Sequence, residues 1–227
     1  MHTPYQTPRV KICCISNVQE AHLAIRYGAS AIGLVSEMPS GPGVISEDVI
    51  EAIMHHIPPG IETFLLTSKP SADAVIAQQK KTHVSTIQLV DAFPVADYAV
   101  LRRALPDIRL VQVVHVLGEE SIRDACTVAP HVDAILLDSG NPFLKTKELG
   151  GTGRTHNWAV SRRICESVQI PVYLAGGLTP DNVKEAIHQV HPYALDVCSG
   201  VRTNGQLDEH KLKTFFLRVN EREYERE

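Results

Sequence analysis

No apolar run in the 227 residues approaches the length of a membrane span, and the opening MHTPYQTPRV has no apolar centre of the kind a secretory leader carries. No excess of one charge exists either. A net charge of -4 gives no overall pull toward nucleic acid or an anionic membrane, so neither is expected as a partner. The five cysteines (Cys13, Cys14, Cys126, Cys165, Cys198) are odd in number and none are spaced as CxxC, which argues for reduced thiols in a cytoplasmic protein. The eleven histidines contain no HExxH and no Cys/His zinc spacing, so no metal is expected. Linkers and low-complexity blocks are also missing, and only the terminal EREYERE reads as a solvated tail.

What is present is alternation. Short apolar runs at 10–16, 31–35, 62–68, 86–90, 109–116, 133–139, 171–177 and 194–200 read as strands. Several, such as AIGLV and AILLD, are continuous rather than alternating, as parallel strands covered on both faces require. Helical patterns fill the intervals at about 17–27, 46–56, 71–80, 95–105, 119–128, 157–167, 180–190 and 208–219. Asn17 and Ser46 are placed to cap helices, Gly28 to end one, and Thr179–Pro180 reads as a cap followed by proline at the first helical position. Eight βα units in 227 residues predict one (β/α)8 (TIM) barrel domain, with a short polar N-terminal extension and a charged tail. A doubly wound open sheet is the second choice.

In such a barrel, chemistry sits at the C-terminal ends of the strands. Strand parity puts Lys11, Cys13 and Ile15 on one side of the first strand, and Ala134, Leu136 and Asp138 on one side of the sixth. A thiolate at Cys13 can take a proton from carbon beside a carbon–nitrogen double bond, and a carboxylic acid at Asp138 can protonate a sugar ring oxygen. A buried cysteine is as readily a small core residue, and an aspartate ending a strand as readily a loop cap. Gly176 and Gly177 end the seventh strand and Ser199 and Gly200 the eighth. Together with Gly153 they are candidates for a phosphate cup of backbone N–H groups. The run Gly150-Gly151-Thr152-Gly153 reads as a loop folding over ligand. Lys11, Gln88 and Arg154 are candidate substrate contacts, and His115 lies on a strand whose parity leaves its direction open.

The segments VKICCIS (10–16), ILLDS (135–139), GGTGRTHNW (150–158), PVYLAGGLTPDNV (171–183) and ALDVCSGVRTNGQLD (194–208) together resemble the phosphoribosylanthranilate isomerase family. The resemblance implies a (β/α)8 barrel needing no cofactor, acting on a small phosphorylated sugar-amine, as a monomer or homodimer. The reaction it implies is an Amadori rearrangement of an N-linked phosphoribosyl amine in tryptophan biosynthesis, with Cys13 as general base and Asp138 as general acid. Three departures stand out. Cys14 takes the place of the glycine in the family's KICG. Gly43, in SGPGVIS, takes the place of the arginine that meets the anthranilate carboxylate, and Val90 and Asp91 stand where the family has His and Gly. The strand ETFLLTS also lacks the family's glycine–phenylalanine pair. Loss of a charge-assisted contact costs about 1.5–3 kcal/mol, or one to two decades in binding. A related isomerase with another aglycone, or a barrel that binds a phosphometabolite without converting it, are the alternative functions.

Overall fold

Asn17 Oδ1 accepts the backbone N–H of Glu20 at 2.9 Å and so opens helix α1 (Val18–Tyr27). Gly28, at φ 111°, closes that helix by turning its N–H back onto the Ala24 and Ile25 carbonyls. Ser46 caps α2 (Glu47–Met54) through Val49 N–H, and Asp208 caps α8 (Glu209–Asn220) through the N–H groups of His210 and Lys211. Local signals of this kind punctuate the computed structural model of the protein, which describes residues 7–221. Most of the charged tail and the first six residues lie outside that range.

The remaining helices are α3 (Ala72–Thr82), α4 (Val95–Ala104), α5 (Glu120–Val128), α6 (Trp158–Ser167) and α7 (Val183–Val190). They alternate with strands β1 (Arg9–Ile12), β2 (Ala31–Val35), β3 (Glu62–Thr67), β4 (Thr86–Leu89), β5 (Arg109–His115), β6 (Ala134–Asp138), β7 (Val172–Leu174) and β8 (Ala194–Val197). Each strand pairs in parallel with the next, and β8 returns to β1 in the register Arg9↔Ala194 through Ile12↔Val197. The barrel is closed, so the open-sheet alternative falls. A small hairpin of β9 (Arg202–Thr203) and β10 (Gln206–Leu207) precedes α8.

Two apolar layers explain why whole strands are buried. Ile12, Ile32, Leu34, Leu65, Ile87 and Leu195 face outward into the layer under the helices. Ala31, Phe64, Val111, Val113, Leu136 and Tyr173 fill the inside of the barrel. A dry interior is a poor place for charge, yet Lys11 is 0% exposed there. Its Nζ lies 2.9 Å from Asp196 Oδ2 and 5.0 Å from the centre of the Phe64 ring. Room for it comes from β2, where Gly33 brings no side chain: a methyl there would stand 3.1 Å from Lys11 Nζ and 2.8 Å from Cys13 Sγ.

The structure corrects two expectations. Ile15 does not share a side with Lys11 and Cys13 but packs in the outer layer, because Cys14 has φ 61° and breaks the alternation. The regular part of α7 starts at Val183 rather than at Pro180. Thr179 still caps the preceding turn, its Oγ1 accepting Asp181 N–H and its carbonyl accepting Val183 N–H.

One buried ion pair joins distant parts of the chain near the C-terminal ends of the strands. Arg202 Nη1 and Nη2 donate to Glu20 Oε1 (2.8 Å) and Oε2 (3.0 Å), and Glu20 also accepts from Ser16 N–H and Leu207 N–H. Burial alone would push the Glu20 carboxyl up, but the Arg202 fork and the two backbone donors hold it below its ordinary range. Glu20→Ala leaves a buried guanidinium without its carboxylate and is expected to cost about 3–5 kcal/mol. Urea unfolding measures this. A loss under about 1 kcal/mol, the level of an exposed pair, would show that water replaces the carboxylate.

Candidate active site

Cys13 directly follows β1, and its N–H donates to Val197 O at 2.9 Å, continuing the ladder to β8 by one residue. Parity turns its sulfur into the barrel mouth, where it is 5% exposed. Cys14 then adopts the left-handed conformation, which disfavours a residue with a Cβ by about 1–2 kcal/mol. The turn is held from outside. Arg202 Nη2 donates to the Cys14 carbonyl at 2.6 Å and to the Cys13 carbonyl at 3.3 Å, while Glu20 fixes the guanidinium. Arg202 was not among the expected site residues. No local pattern pairs it with a turn nearly the whole chain away.

Asp138 ends β6 on the same inward side as Ala134 and Leu136 and is 7% exposed. Its Oδ1 accepts Ser139 N–H at 2.8 Å. Gly150 covers it so closely that a methyl on that glycine would lie 2.8 Å from Oδ2. Burial raises the Asp138 carboxyl above its ordinary range against the pull of Ser139 N–H and the neighbouring His115. Cys13 is shifted the other way. The Cys14 thiol as hydrogen-bond partner favours the thiolate, burial opposes it, and the Lys11 ammonium adds to the lowering. A group made more acidic and a group made less acidic thus line one cavity open at the barrel mouth.

The glycine-rich segments meet at the same cavity. Gly176 (φ 83°) and Gly177 (φ 62°) follow β7 in conformations that disfavour a side chain. At Gly177 a methyl would sit 2.5 Å from Arg154 C and 2.6 Å from Thr155 N, so the strand-seven loop packs backbone to backbone on the loop after β6. Gly153, Gly176, Gly177 and Ser199 line the cavity. Ser199 opens a 3-10 turn, Ser199–Val201, and Gly200 within it packs against the Leu178 carbonyl rather than facing the cavity. Over the top, Gly151 packs on Pro42, bringing the loops after β6 and β2 together.

The candidate substrate contacts separate. Gln88 lines the cavity with its Oε1 buried and unpartnered. Lys11 lies beneath Cys13 and is engaged by Asp196, so it does not face the cavity. Arg154 is largely exposed and paired with Glu148 on the outside of its loop. His115 takes the inward parity beside Asp138, but its Nε2 donates to Val90 O at 3.1 Å and its ring packs on Gly140. Among the described residues no lysine, arginine or histidine lines the cavity, and no cluster of three His, Cys, Asp or Glu is arranged for a metal ion.

Two of the departures in sequence are one departure in space. Gly43 has φ 74°, and a methyl on it would stand 2.5 Å from Cys14 Cβ and 3.0 Å from Cys14 Cα. A side chain at 14 therefore excludes one at 43. Gly43→Ala is expected to cost about 1–3 kcal/mol from overpacking, on top of the strain of its left-handed backbone. Adding Cys14→Gly should recover the steric part. Denaturant unfolding of both single variants and the double variant measures this, with a coupling of about 0.5–3 kcal/mol expected between the sites. Strict additivity would contradict it.

Comparison with known proteins places this geometry. The model of the family described as N-(5'-phosphoribosyl)anthranilate (PRA) isomerase matches residues 10–218. The chain is 36% identical over 213 residues to N-(5'-phosphoribosyl)anthranilate isomerase 2 of Methanosarcina mazei, covering 93% of each chain. It is 35% identical over 210 residues to the Haloferax volcanii enzyme of the same name, covering 92% of this chain and 91% of that one. Among solved structures, phosphoribosyl anthranilate isomerase from Thermus thermophilus superposes with a TM-score of 0.79 at 26% identity, over 93% of this chain and 98% of that one. A second isomerase of that name, in complex with reduced 1-(o-carboxyphenylamino)-1-deoxyribulose 5-phosphate, gives 0.77 at 26% identity over the same shares. The barrel with Cys13 and Asp138 at its mouth belongs to the N-(5'-phosphoribosyl)anthranilate isomerase family.

Proposed function

We propose that this isomerase rearranges N-(5'-phosphoribosyl)anthranilate to 1-(o-carboxyphenylamino)-1-deoxyribulose 5-phosphate, with Asp138 as general acid and Cys13 as general base. The observation that carries the assignment of roles is the pairing of opposite environments. Burial shifts Asp138 toward its neutral form, while Cys14 and Lys11 shift Cys13 toward its thiolate, and both groups border one cavity. Asp138 gives its proton to the ribose ring oxygen as the ring opens and the anilino nitrogen forms a double bond to C1. The Cys13 thiolate then removes the proton from C2, which is acidified by that double bond. Electrons flow into the C1–C2 bond, and reprotonation at C1 leaves the ketone at C2. The backbone of Gly153, Gly176 and Gly177 with the Ser199 hydroxyl receives the phosphate, and Gln88 offers its amide to the sugar. The aglycone meets Met38, Pro42 and Leu149 near the rim.

Activity is tested by the loss of anthranilate-type fluorescence on freshly made phosphoribosylanthranilate. Cys13→Ser and Asp138→Asn are each expected to lower kcat by about 10²–10⁴-fold with phosphosugar binding retained. Retained turnover in either variant would remove that residue from its role. A second reading, conversion of an N-phosphoribosyl amine whose aglycone carries no carboxylate, is favoured by the missing cation at the rim. A kcat/KM for the aniline analogue above that for the anthranilate would establish it.

The titrations give a pH dependence with a definite sign. Turnover needs the thiolate, whose population rises with pH up to the Cys13 pKa, and the carboxylic acid, whose population falls above the Asp138 pKa. Because the first value is lowered and the second raised, kcat/KM is expected to be a bell, with the thiol's limb below its ordinary value of roughly 8.5 and the carboxyl's limb above its ordinary value of roughly 4. The apparent values belong to the interacting pair. A profile with neither limb would contradict the assignment.

A further inference from the structure

The reaction above uses one thiol, but three meet at the mouth. Cys198 directly follows β8 and directs its S–H to Cys14 Sγ at 2.6 Å, closer than two unbonded sulfur atoms ordinarily sit. Both are free thiols, and both line the cavity, where Cys198 is partly exposed. The other two cysteines stand apart on the outer helices, Cys126 on α5 and Cys165 on α6. Nothing blocks the approach from the Cys14 side, because Gly43 leaves that side chain its space. Arg202 holds the backbone that presents it.

We infer that Cys14 and Cys198 are an oxidation site, a dithiol that closes to a reversible disulfide under peroxide and ties the β1 loop to the turn carrying Ser199. Cys198 reacts first, since it is the more exposed of the two, whereas its sulfur neighbours raise the Cys14 thiol well above its ordinary range. The Cys198 thiolate attacks one oxygen of hydrogen peroxide. The O–O bond breaks, and the departing hydroxide leaves as water with the thiol's proton. Cys14 sulfur then attacks the resulting sulfenic acid, the S–O bond breaks, and the hydroxyl leaves as water with the Cys14 proton. Two thiols lose two electrons in all, and one peroxide becomes two waters. The new bond consumes the Cys14 thiol, which favours the Cys13 thiolate, and couples the thiol turn to the glycine cup. Cys13 itself is not consumed.

The effect on turnover rests on Cys13 being the base; the existence of the bond does not. The intact protein is exposed to hydrogen peroxide, its remaining thiols are alkylated, and its peptides are mapped by mass spectrometry. The expected result is a Cys14–Cys198 cross-link that dithiothreitol releases, with Cys13 alkylated. Turnover should fall on the order of tenfold or more, as expected when catalytic groups are displaced by a fraction of an ångström, and return on reduction. Cys198→Ser should keep most of its own starting activity through the same exposure. A cross-link to Cys13, sulfinic acid on Cys13, or equal inactivation of Cys198→Ser would overturn the inference. A mapped Cys14–Cys198 bond with unchanged turnover would overturn the coupling to Cys13. Absence of turnover before any oxidation would count against the proposed function alone, since the cross-link is read without it.

Discussion

The seam between β8 and β1 is where the barrel closes, and a buried ion pair occupies it. Lys11 and Asp196 are register partners across that seam, with nitrogen and oxygen 2.9 Å apart and almost no solvent on either. Neither charge would be tolerated alone in an interior packed with Phe64 and Tyr173. Burial opposes the ammonium, but Asp196 more than compensates and holds Lys11 charged. Closure of the last strand on the first is thus the condition for a permanent positive charge inside the barrel. Cys13 stands one step above that charge, which adds to the lowering begun by the Cys14 thiol, while Asp196 opposes it.

The thiol turn shows how one difficult conformation is sustained by contacts outside it. Cys14 takes a backbone shape better suited to glycine, and the Arg202 fork, itself fixed by Glu20, satisfies the two carbonyls that the turn exposes. The side chain at 14 then fills the space beside Gly43. This chain carries a thiol at the turn and no side chain at the facing position of the second loop, the two departures from the family pattern noted in the sequence. Packing makes the exchange reciprocal. Its chemical consequence is a rim without a cationic side chain among the described residues that line the cavity.

Two acids, a thiol and a carboxyl, receive opposite treatment within one cavity. The carboxyl is covered by Gly150 and has a single backbone donor, so burial dominates and favours the neutral form. The thiol is no less buried, but it has a neighbouring S–H and an ammonium to stabilise its charged form. His156 illustrates the burial effect without such help: near Gly176 and bonded to Ser161, it is pushed down to about 4 and is neutral at physiological pH.

Much of this was legible in the residues themselves. The eight apolar runs mark all eight barrel strands because a strand covered on both faces is apolar at most of its positions, with only a few polar residues such as Gln88 and Gln112 among them. Asn17, Gly28 and Ser46 mark helix ends because capping involves only residues within one turn. The inward direction of Asp138 followed from the two-residue period of β6. That same period failed one residue past Cys14, since alternation ends where φ turns positive. The start of α7 at Val183, the burial of Lys11, the Arg202–Glu20 pair across 182 residues and the meeting of Cys14 with Cys198 left no local trace. Strand and helix periods are read from neighbours in sequence, so the chain by itself determined which segments become strands and helices and which residues stand at their ends. Which charges and thiols meet is set only when β8 closes on β1 and the loops above them pack together, and that was decided by the tertiary structure.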